Sequence, residues 1–393
     1  MKKLLATLLA VVLVVSLFGG CRSTTLDLST RKFKVGLVTD VGGRGDRSFN
    51  DLALKGLETY AAKVQYVQGG GYKELSDADF QASIPDDLKD RNITPLDVNP
   101  VVLESKSEND YIPNIQILVE QEKCDLVIGV GFMLAGAIGQ SAQKYPNTKF
   151  MLIDATPVDA SGNGIELPNV VGYLFNEHEC AFLVGAIAGY ATKSNSVGFV
   201  GGMAVPAVVR YEAGYKAGVK TTNPTAYKNY HGQYTNSFTD PSLGKNAAVA
   251  EIGLGADIIF PAAGATGNGC FQTVCEKGAP YWVIGVDADQ GLDPNLCPDR
   301  TLTSAIKHVD LATYDAIKAV VDGTFQGGII EKGAGDGWVG ICRLPEEEKF
   351  WEEKFRFTHP ISIPQEILDK VLEARDKIKS GEIKVPRPAE FGG

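Results

Sequence analysis

Short apolar runs alternate with longer stretches of mixed polarity along most of the chain. The runs are rich in Val, Ile and Leu and have no polar face, which is typical of strands covered on both sides. The predicted strands lie at residues 34–40, 64–67, 101–103, 126–130, 150–153, 170–173, 197–200, 258–260 and 282–286.

Between these runs, apolar positions recur at helical spacing. Ser48 is the predicted cap of a first helix, and further helices are predicted at residues 111–122, 134–144, 178–191, 208–219, 246–254 and 269–277. The alternation of strand and helix predicts parallel sheets joined by right-handed crossovers. Because 393 residues exceed what one ordinary core serves, an α/β fold with two sheets and a cleft between them accounts for the length.

The N-terminus has the pattern of an export signal. Two lysines precede an apolar run at residues 4–18, which is too short to favour a spanning helix. Gly19, Gly20 and Cys21 follow and are similar to a lipoprotein cleavage site. We therefore predict a signal peptide at residues 1–20, lipidation of Cys21 and an extracytoplasmic protein anchored to the cell membrane. The alternative is an ordinary secretory signal with an incidental cysteine.

Three further segments lie outside the alternation. Residues 21–32 are polar and predict a tether, and residues 68–100 are rich in Gly, Asp and Pro and predict an insertion on the surface. Residues 346–393 are charged, with an apolar stripe typical of a helix, and predict a C-terminal helical appendage packed on the outside.

Charge and cysteine content exclude several functions. A net charge of −10 argues against nucleic acid, which needs a basic face. Six cysteines remain besides Cys21, and Cys270, Cys275 and Cys297 lie near one another, so one pair could form a disulfide whose partners the spacing leaves open. The absence of a CxxC motif argues against a zinc ribbon.

Three other segments contain residue types found in metal or cofactor sites, but they lack the spacing that such sites need. Residues 177–180 (Glu-His-Glu-Cys) lack the spacing of a zinc site, and we predict a solvated helix start there. The glycine-rich segments at 42–45 and 129–131 lack the lysine of a phosphate loop and the third glycine of a dinucleotide site. We therefore predict neither a metal nor a cofactor.

Polar and aromatic residues suited to ligand binding cluster after the first strand. Asp40, Asp46, Phe49 and Asn50 flank a glycine-rich turn at the carboxyl end of that strand, where open parallel sheets bind ligands. One aromatic ring, two carboxylates and an amide suit a ligand that is flat at one end and hydroxylated at the other.

The chain resembles the basic membrane protein (BMP) family of bacterial lipoproteins, which includes purine nucleoside receptors of ABC importers. The resemblance rests on motifs that follow in register over most of the body. They lie at residues 39–40 with 46–50 (Asp-Arg-Ser-Phe-Asn), 104–114, 127–132, 145–150 with 153–154, 181–185, 197–202, 255–260 with 263–264, 284–290 (Ile-Gly-Val-Asp-Ala-Asp-Gln) and 303–310.

The resemblance implies a fold and its division into lobes. The family fold is the type I periplasmic binding protein, with two Rossmann-like lobes joined by a three-strand hinge. We predict lobe 1 at residues 33–156 and 304–325, and lobe 2 at residues 157–303 and 326–345.

The resemblance also implies the binding residues. Those that match the nucleoside-binding members are Asp40, Phe49, Asn50, Asp154, Gly264, Asp287 and Lys307. A second ring, expected on the opposite face of the base, is placed at Phe238, with Tyr211 as the rival, and Asp46 is a further candidate.

The chemistry of these residue types is consistent with a purine nucleoside such as guanosine, inosine or adenosine. Stacking between Phe49 and Phe238 would contribute roughly 1–3 kcal/mol per contact. Carboxylates accept hydrogen bonds from ribose hydroxyls at roughly 1.5–3 kcal/mol each, and an acid-rich cleft repels phosphate.

Three functional classes are compatible with these residues. The first is a lipid-anchored receptor that presents a nucleoside, or another small molecule, to the permease and ATPase subunits of an ABC importer. The second is a nucleoside-processing enzyme, against which stands the lack of a matched acid–base cluster among only four histidines. The third is an extracytoplasmic sensor on the same fold.

Overall fold

The described residues of the computed structural model are 26–69, 71–342 and 365–388. The predicted signal peptide and the predicted lipidation site, Cys21, lie outside them. The strands in chain order are β1 Phe33–Val38, β2 Val64–Val67, β3 Gly71–Glu74, β4 Val98–Leu103, β5 Leu126–Val130, β6 Lys149–Ile153, β7 Val170–Phe175, β8 Val197–Gly201, β9 Tyr230–Tyr234, β10 Ile258–Ala262, β11 Trp282–Asp287, β12 Thr301–Lys307, β13 Gly328–Lys332 and β14 Val339–Ile341.

Helices connect most of the strands. They are α1 Phe49–Leu54, α2 Asp77–Ser83, α3 Tyr111–Gln116, α4 Ala135–Lys144, α5 Glu177–Ala191, α6 Pro206–Thr222, α7 Pro224–Lys228, α8 Pro241–Gly253, α9 Gly264–Lys277, α10 Val309–Val321 and α11 Gln365–Lys379. Wider π-type turns extend α1 through Lys55–Ala61 and α3 through Ile117–Gln121.

Two six-stranded sheets form the body of the protein. The first has the order β13-β7-β6-β5-β1-β4, and each neighbouring pair is parallel. The second has the order β14-β12-β11-β10-β8-β9 and is parallel except for β14, which pairs antiparallel with β12. We call the bodies built on these sheets lobe 1 and lobe 2. The predicted two-lobed α/β fold is therefore confirmed.

The strands that the apolar pattern missed are edge strands or contain polar residues. In β9 every residue is at least partly exposed, and β13 is similar, so neither has a continuous apolar run. In β12 the pattern Thr-Leu-Thr-Ser-Ala-Ile-Lys is broken by hydroxyls, although all seven residues are buried. The remaining two missed strands, β3 and β14, are short.

The predicted boundaries between the lobes differ from the sheet topology at all three crossings. The chain passes from the first sheet to the second after β7, returns between β12 and β13, and crosses again between β13 and β14. Residues 170–175 and 328–332 therefore belong to lobe 1, whereas we assigned both to lobe 2. The predicted boundary at 303/304 also divides β12. An apolar run shows that a segment is a strand, but its hydrogen-bonded neighbour is set by distant residues.

Residues 68–100 are mostly exposed, but a few buried side chains anchor the segment to lobe 1. β3 pairs with β2 in an antiparallel hairpin, and the side chains of Phe80 and Leu88 are buried in the core of lobe 1. The hydroxyl of Tyr314 donates to the carbonyl of Thr94 at 2.9 Å and ties the segment to α10. Because aspartates and prolines are frequent in this segment, the sequence pattern did not reveal its few buried apolar side chains.

The predicted tether at residues 21–32 is wrong for the part that the structure describes. From residue 26 the chain is docked on lobe 1, because Leu28 is buried against Ala62 and Val64, and the amide of Leu26 donates to the carbonyl of Tyr72 at 3.3 Å. At the other end, α11 packs on α5 with Val371 and other apolar side chains buried. In the described part of the chain, no helix has the length and apolar character needed to cross a bilayer.

A disulfide links Cys275 in α9 to Cys297, which lies in the segment between β11 and β12. It joins two of the three cysteines that the sequence grouped together. Cys270, the third, is a buried thiol, as are Cys124 and Cys180.

Helices α5 and α6 pack with their backbones in close approach. A β-carbon added at Gly185 would lie 2.2 Å from the carbonyl oxygen of Tyr215, and one added at Gly218 would lie 2.0 Å from that of Phe182. Any side chain at these positions would force the helices apart. The glycines therefore fix the position of α6, which carries residues of the cleft described below.

We predict that Gly218→Ala lowers the free energy of unfolding by roughly 1–3 kcal/mol, because the helices must separate to admit a methyl group. Urea unfolding monitored by circular dichroism measures the change. The matched control is Gly253→Ala in α8, where an added β-carbon has no neighbour within 4 Å. It should stabilise by up to about 1 kcal/mol through helix propensity. Equal stabilisation of both variants would contradict close packing at Gly218.

Candidate functional site

The carboxyl ends of five strands converge on one cleft between the lobes. Asp40 follows β1 and Asp154 follows β6 in lobe 1, whereas Gly264 lies just after β10, Asp287 ends β11 and Lys307 ends β12 in lobe 2. All five line the cleft. This is the edge at which open parallel sheets bind ligands.

The turn between β1 and α1 is held by a buried carboxylate. Asp46 accepts hydrogen bonds from the backbone N–H groups of Ser48 at 3.0 Å, Asn50 at 2.8 Å and Asp51 at 3.1 Å. These donors are otherwise unpaired at the start of a helix. Asp46 is therefore the cap of α1, and our prediction that Ser48 supplies the cap is wrong, since its side chain makes no capping bond. The cap positions Phe49 at the cleft.

Asn50 is oriented by two carboxylates. Its Nδ2 donates to Asp40 Oδ1 at 2.8 Å and to Asp46 Oδ2 at 3.0 Å. Its Oδ1 is buried and has no partner among the described residues. A β-carbon at Gly42 would lie 2.9 Å from both Asn50 Nδ2 and Asp40 Oδ1, so only glycine leaves room for this arrangement. Asn50 can thus offer a ligand an acceptor but no donor.

Lys307 lies at the centre of an ionic cluster. Its Nζ is 2.7 Å from Asp154 Oδ2, 3.5 Å from Glu177 Oε1 and 3.5 Å from Asp287 Oδ1. The side chain is only 2% exposed, and the ammonium also lies 4.7 Å from the centre of the Phe49 ring. The cluster therefore joins the two lobes at the floor of the cleft.

Glu177 is part of this cluster, so the predicted solvated helix start at residues 177–180 is wrong for this residue. Its side chain is fully buried at the start of α5, and its carboxylate binds Arg210 at 2.5 Å and 3.3 Å. The motif Glu-His-Glu-Cys contained no signal for this role, because Arg210 lies 33 positions later on α6. The described residues contain no group of three or more His, Cys, Asp or Glu side chains suited to a metal ion.

Burial shifts the pKa values of the cluster. Burial raises the pKa of Asp154 to about 6, although the neighbouring ammonium of Lys307 opposes the shift. Burial by itself would lower the pKa of Lys307, but Asp154, Asp287 and Glu177 outweigh it and hold that pKa above its ordinary value. Arg210 and Lys307 likewise outweigh burial at Glu177 and hold its pKa below the ordinary value. Burial and Asp51 raise the pKa of Asp46 to about 7.

Two aspartates occupy the left-handed backbone region at matching places in the two lobes. Asp154 has φ 63° and Asp287 has φ 61°. Strain of this kind clusters at functional sites, where the surrounding structure enforces it. Asp287 is also held by Tyr211, whose hydroxyl donates to Asp287 Oδ1 at 2.7 Å.

Phe238 and Tyr211, the two candidates for the second ring, differ in their surroundings. Tyr211 is buried, and its ring packs edge-on against Phe260 in the core of lobe 2. Phe238 is half-buried at the cleft, where a β-carbon on Gly202 would lie 2.3 Å from its ring. Glycine at 202 therefore leaves the space that the ring of Phe238 occupies.

All ten residues that the sequence nominated line this cleft. The lining residues that the sequence did not nominate are Gly42, Gly131, Phe132, Met133, Val205, Ala207, Val208, Ala262, Ala263 and Val286. Phe132, which is 43% exposed, places a third ring at the cleft, and its position just after β5 could have indicated it. The residues of α6 carry no comparable signal, because small apolar side chains are equally common in a core.

A ligand cleft between two lobes of parallel sheet defines the type I class of periplasmic solute-binding protein. A crystal structure of an ABC transporter solute-binding protein from Aeropyrum pernix K1 is similar, with a TM-score of 0.69 and 29% identity over 91% of this chain and 94% of that one.

Sequence comparison specifies the family. Residues 33–388 match the Bmp family, described as PnrA-like ABC transporter substrate-binding proteins. An ABC transporter nucleoside-binding protein BmpA of Lactococcus lactis is 30% identical over 98% of this chain and 99% of its own length. An uncharacterised lipoprotein of Pyrococcus horikoshii is 34% identical over 93% of this chain and 82% of its own. The chain belongs to the Bmp family of ABC transporter substrate-binding proteins.

We predict that Lys307→Met lowers the free energy of unfolding by about 3–5 kcal/mol, because it leaves three buried carboxylates without their ammonium partner. Denaturant unfolding of the ligand-free protein measures the loss. The control is Lys245→Met, which breaks a pair with Glu276 whose side chains are 43% and 60% exposed, and which should cost less than about 1 kcal/mol.

Adding Asp154→Asn to Lys307→Met should recover part of the stability, since one uncompensated charge is removed. A Lys307→Met protein as stable as the Lys245→Met control would show that the ammonium does not hold the cluster together.

Proposed function

We propose that this protein is the lipid-anchored receptor of an ABC importer, that it binds a purine nucleoside between its lobes, and that it delivers the nucleoside to the permease and ATPase subunits. The observation that carries the proposal is the pairing of aromatic rings with buried, unpartnered acceptors at one cleft. Phe49 and Phe238 come from different lobes, and Asn50 Oδ1 and Asp154 Oδ1 are buried acceptors without partners among the described residues.

The rings suit a flat heterocycle. Phe49 lies in lobe 1 and Phe238 in lobe 2, so a base stacked on both would be enclosed only when the lobes are together. Each stacking contact contributes roughly 1–3 kcal/mol, largely irrespective of which base is bound. The rings therefore account for binding of a base but not for the choice among bases.

The acceptors suit a hydroxylated tail. A buried acceptor without a donor costs roughly 1–3 kcal/mol, and a ligand that supplies the donor removes that cost. Asp154 and Asp287 lie beside Lys307, whose ammonium donates to sugar oxygens as well as to carboxylates. Ribose hydroxyls both donate and accept, so they complement this end of the cleft.

Charge argues for a nucleoside over a nucleotide. The cluster of Asp154, Glu177 and Asp287 around Lys307 and Arg210 has one more carboxylate than cations, and Asp40 and Asp46 add further carboxylates at the cleft. A phosphate would enter this acidic surface at an electrostatic cost.

The donor arrangement of Asn50 indicates which bases are preferred. Because its Nδ2 is occupied by two carboxylates, Asn50 presents only Oδ1, and Asp40 beside it is also an acceptor. Guanine and hypoxanthine have an N1–H donor on the corresponding edge, whereas adenine has an acceptor there. We infer that guanosine and inosine bind more tightly than adenosine.

Two observations support the receptor role rather than an enzymatic one. The cleft residues that the structure describes include no His, Cys or Ser, so they contain no hydroxyl or thiol nucleophile paired with a histidine base. The relative from L. lactis that matches nearly the whole chain is a nucleoside-binding protein. The lipoprotein name of the P. horikoshii relative supports the anchor at Cys21 and an extracytoplasmic location.

We predict by isothermal titration calorimetry that guanosine and inosine bind at least about tenfold more tightly than adenosine, since adenine leaves a buried acceptor facing another acceptor. Guanosine monophosphate should bind more weakly than guanosine. Phe49→Leu should weaken guanosine by about 1–3 kcal/mol through loss of stacking.

The matched control for Phe49→Leu is Phe325→Leu, which changes a half-buried ring outside the cleft lining. Absence of binding by every purine nucleoside would overturn the proposed function. Conversion of guanosine to free guanine in the same samples would replace the receptor with an enzyme.

We predict that guanosine affinity falls as the pH decreases through about 6. The ionised form of Asp154 is the better acceptor, so bound ligand lowers its pKa below the value of about 6 in the free protein. The contribution of Asp154 to affinity is therefore complete above this pKa and is lost as Asp154 becomes protonated. Asp154→Asn should bind more weakly and lose the pH dependence near 6, whereas the exposed control Asp322→Asn should keep it. An unchanged profile in Asp154→Asn would exclude Asp154 as the titrating group.

A further inference from the structure

We propose that Arg47 of lobe 1, together with Gln290 and Asp293 of lobe 2, forms an interlobe bridge that holds the cleft closed and sets nucleoside affinity without touching the nucleoside. The bridge consists of two contacts. Arg47 Nη1 donates to Asp293 Oδ2 at 2.9 Å, and Gln290 Nε2 donates to the carbonyl oxygen of Arg47 at 3.2 Å. The inference rests on the proposed function only for the choice of ligand.

The lobe 1 side of the bridge is held in place by its own loop. Arg47 has φ 59°, a left-handed conformation that is costly for a long side chain. Its N–H donates to Asp51 Oδ2 at 2.9 Å, and the N–H of Gly45 donates to Asp51 Oδ1 at 2.8 Å. Asp51 thereby enforces the conformation that presents both the guanidinium and the carbonyl of Arg47 to lobe 2.

The lobe 2 side is equally well oriented. Asp293 Oδ1 accepts from the backbone N–H of Asn295 at 2.8 Å and from its Nδ2 at 2.9 Å, while Oδ2 binds Arg47. Gln290 is 3% exposed, and its Oε1 accepts from the N–H of Val286 at 2.9 Å, which directs Nε2 to lobe 1. The disulfide at Cys297 anchors the far end of this loop to α9.

The bridge lies beside the binding residues without being one of them. Arg47, Gln290 and Asp293 do not line the cleft. Arg47 is two positions before Phe49, and Gln290 binds the residue that precedes Asp287. Each half of the bridge is thus connected by a few covalent and hydrogen bonds to a residue of the site.

Both contacts exist only when the lobes are together, because their partners lie on different lobes. A contact confined to the closed state shifts the equilibrium towards that state. A ligand enclosed by both lobes binds the closed state, so its apparent affinity follows the closed population. Weakening the bridge should therefore raise the dissociation constant, chiefly through faster dissociation.

Charge reversal tests the bridge with guanosine as the probe. Arg47→Glu and Asp293→Arg each place like charges together, and each should raise the dissociation constant and the dissociation rate by roughly tenfold. The double variant Arg47→Glu/Asp293→Arg restores the opposite charges and should return both quantities to within about threefold of the wild type. Calorimetry and stopped-flow fluorescence supply the two measurements.

Salt provides a readout that a merely structural role would not change. Guanosine is uncharged, and the bridging side chains of Arg47 and Asp293 are 34% and 27% exposed, so salt should screen their attraction. Wild-type affinity should fall as the salt concentration increases. The affinity of either single variant should rise, because salt screens the repulsion between the like charges at positions 47 and 293. The control Lys245→Glu reverses one charge of a pair within lobe 2 and should follow the wild type.

The outcomes separate this inference from the proposed function. Suppose that guanosine binds the wild type. The bridge is then overturned, while the function stands, if the double variant binds as weakly as the single variants or if the single variants bind as tightly as the wild type. If no nucleoside binds the wild type, the function fails, and small-angle X-ray scattering of the ligand-free proteins decides on the bridge. A larger radius of gyration for Arg47→Glu, reversed in the double variant, supports it, and equal radii overturn it.

Discussion

The ammonium of Lys307 is the one buried charge on which the arrangement of the cleft depends. It ends a strand of lobe 2, and its nearest partner, Asp154 at 2.7 Å, follows a strand of lobe 1. A buried charge is tolerated only where partners surround it. The strand ends that carry Asp154 and Asp287 and the start of α5, which carries Glu177, must therefore meet at Lys307. The contact between the lobes at the floor of the cleft is a consequence.

Helix α6 extends this constraint into lobe 2. Its adjacent residues Arg210 and Tyr211 bind Glu177 and Asp287, respectively, so one helix orients two of the three carboxylates. The helix in turn packs on α5 through glycines that allow the backbones to meet. Backbone packing far from the ligand thus determines where the acids of the site lie.

Much of the fold was predictable because most strands are short apolar runs and the glycine-rich turns follow them. The strands that were missed lack that pattern. Hydroxyl side chains interrupt the buried strand β12, and β9 is partly exposed because it lies at the edge of its sheet. Most of the nominated residues that line the cleft follow a strand or lie in a motif just after one, whereas Tyr211 lies within α6. Glu177 was misjudged, since its burial depends on an arginine on another helix.

The sequence by itself determined the α/β class, the strand ends at which carboxylates and rings occur, and the excess of negative charge. These follow from local polarity and from the rule that parallel strands present their carboxyl ends at one edge. The tertiary structure decided which sheet each strand joins, that residues 68–100 are docked, and that Arg47 meets Asp293 across 246 positions. Such pairings depend on distances between residues far apart in the chain, and no local pattern encodes those distances.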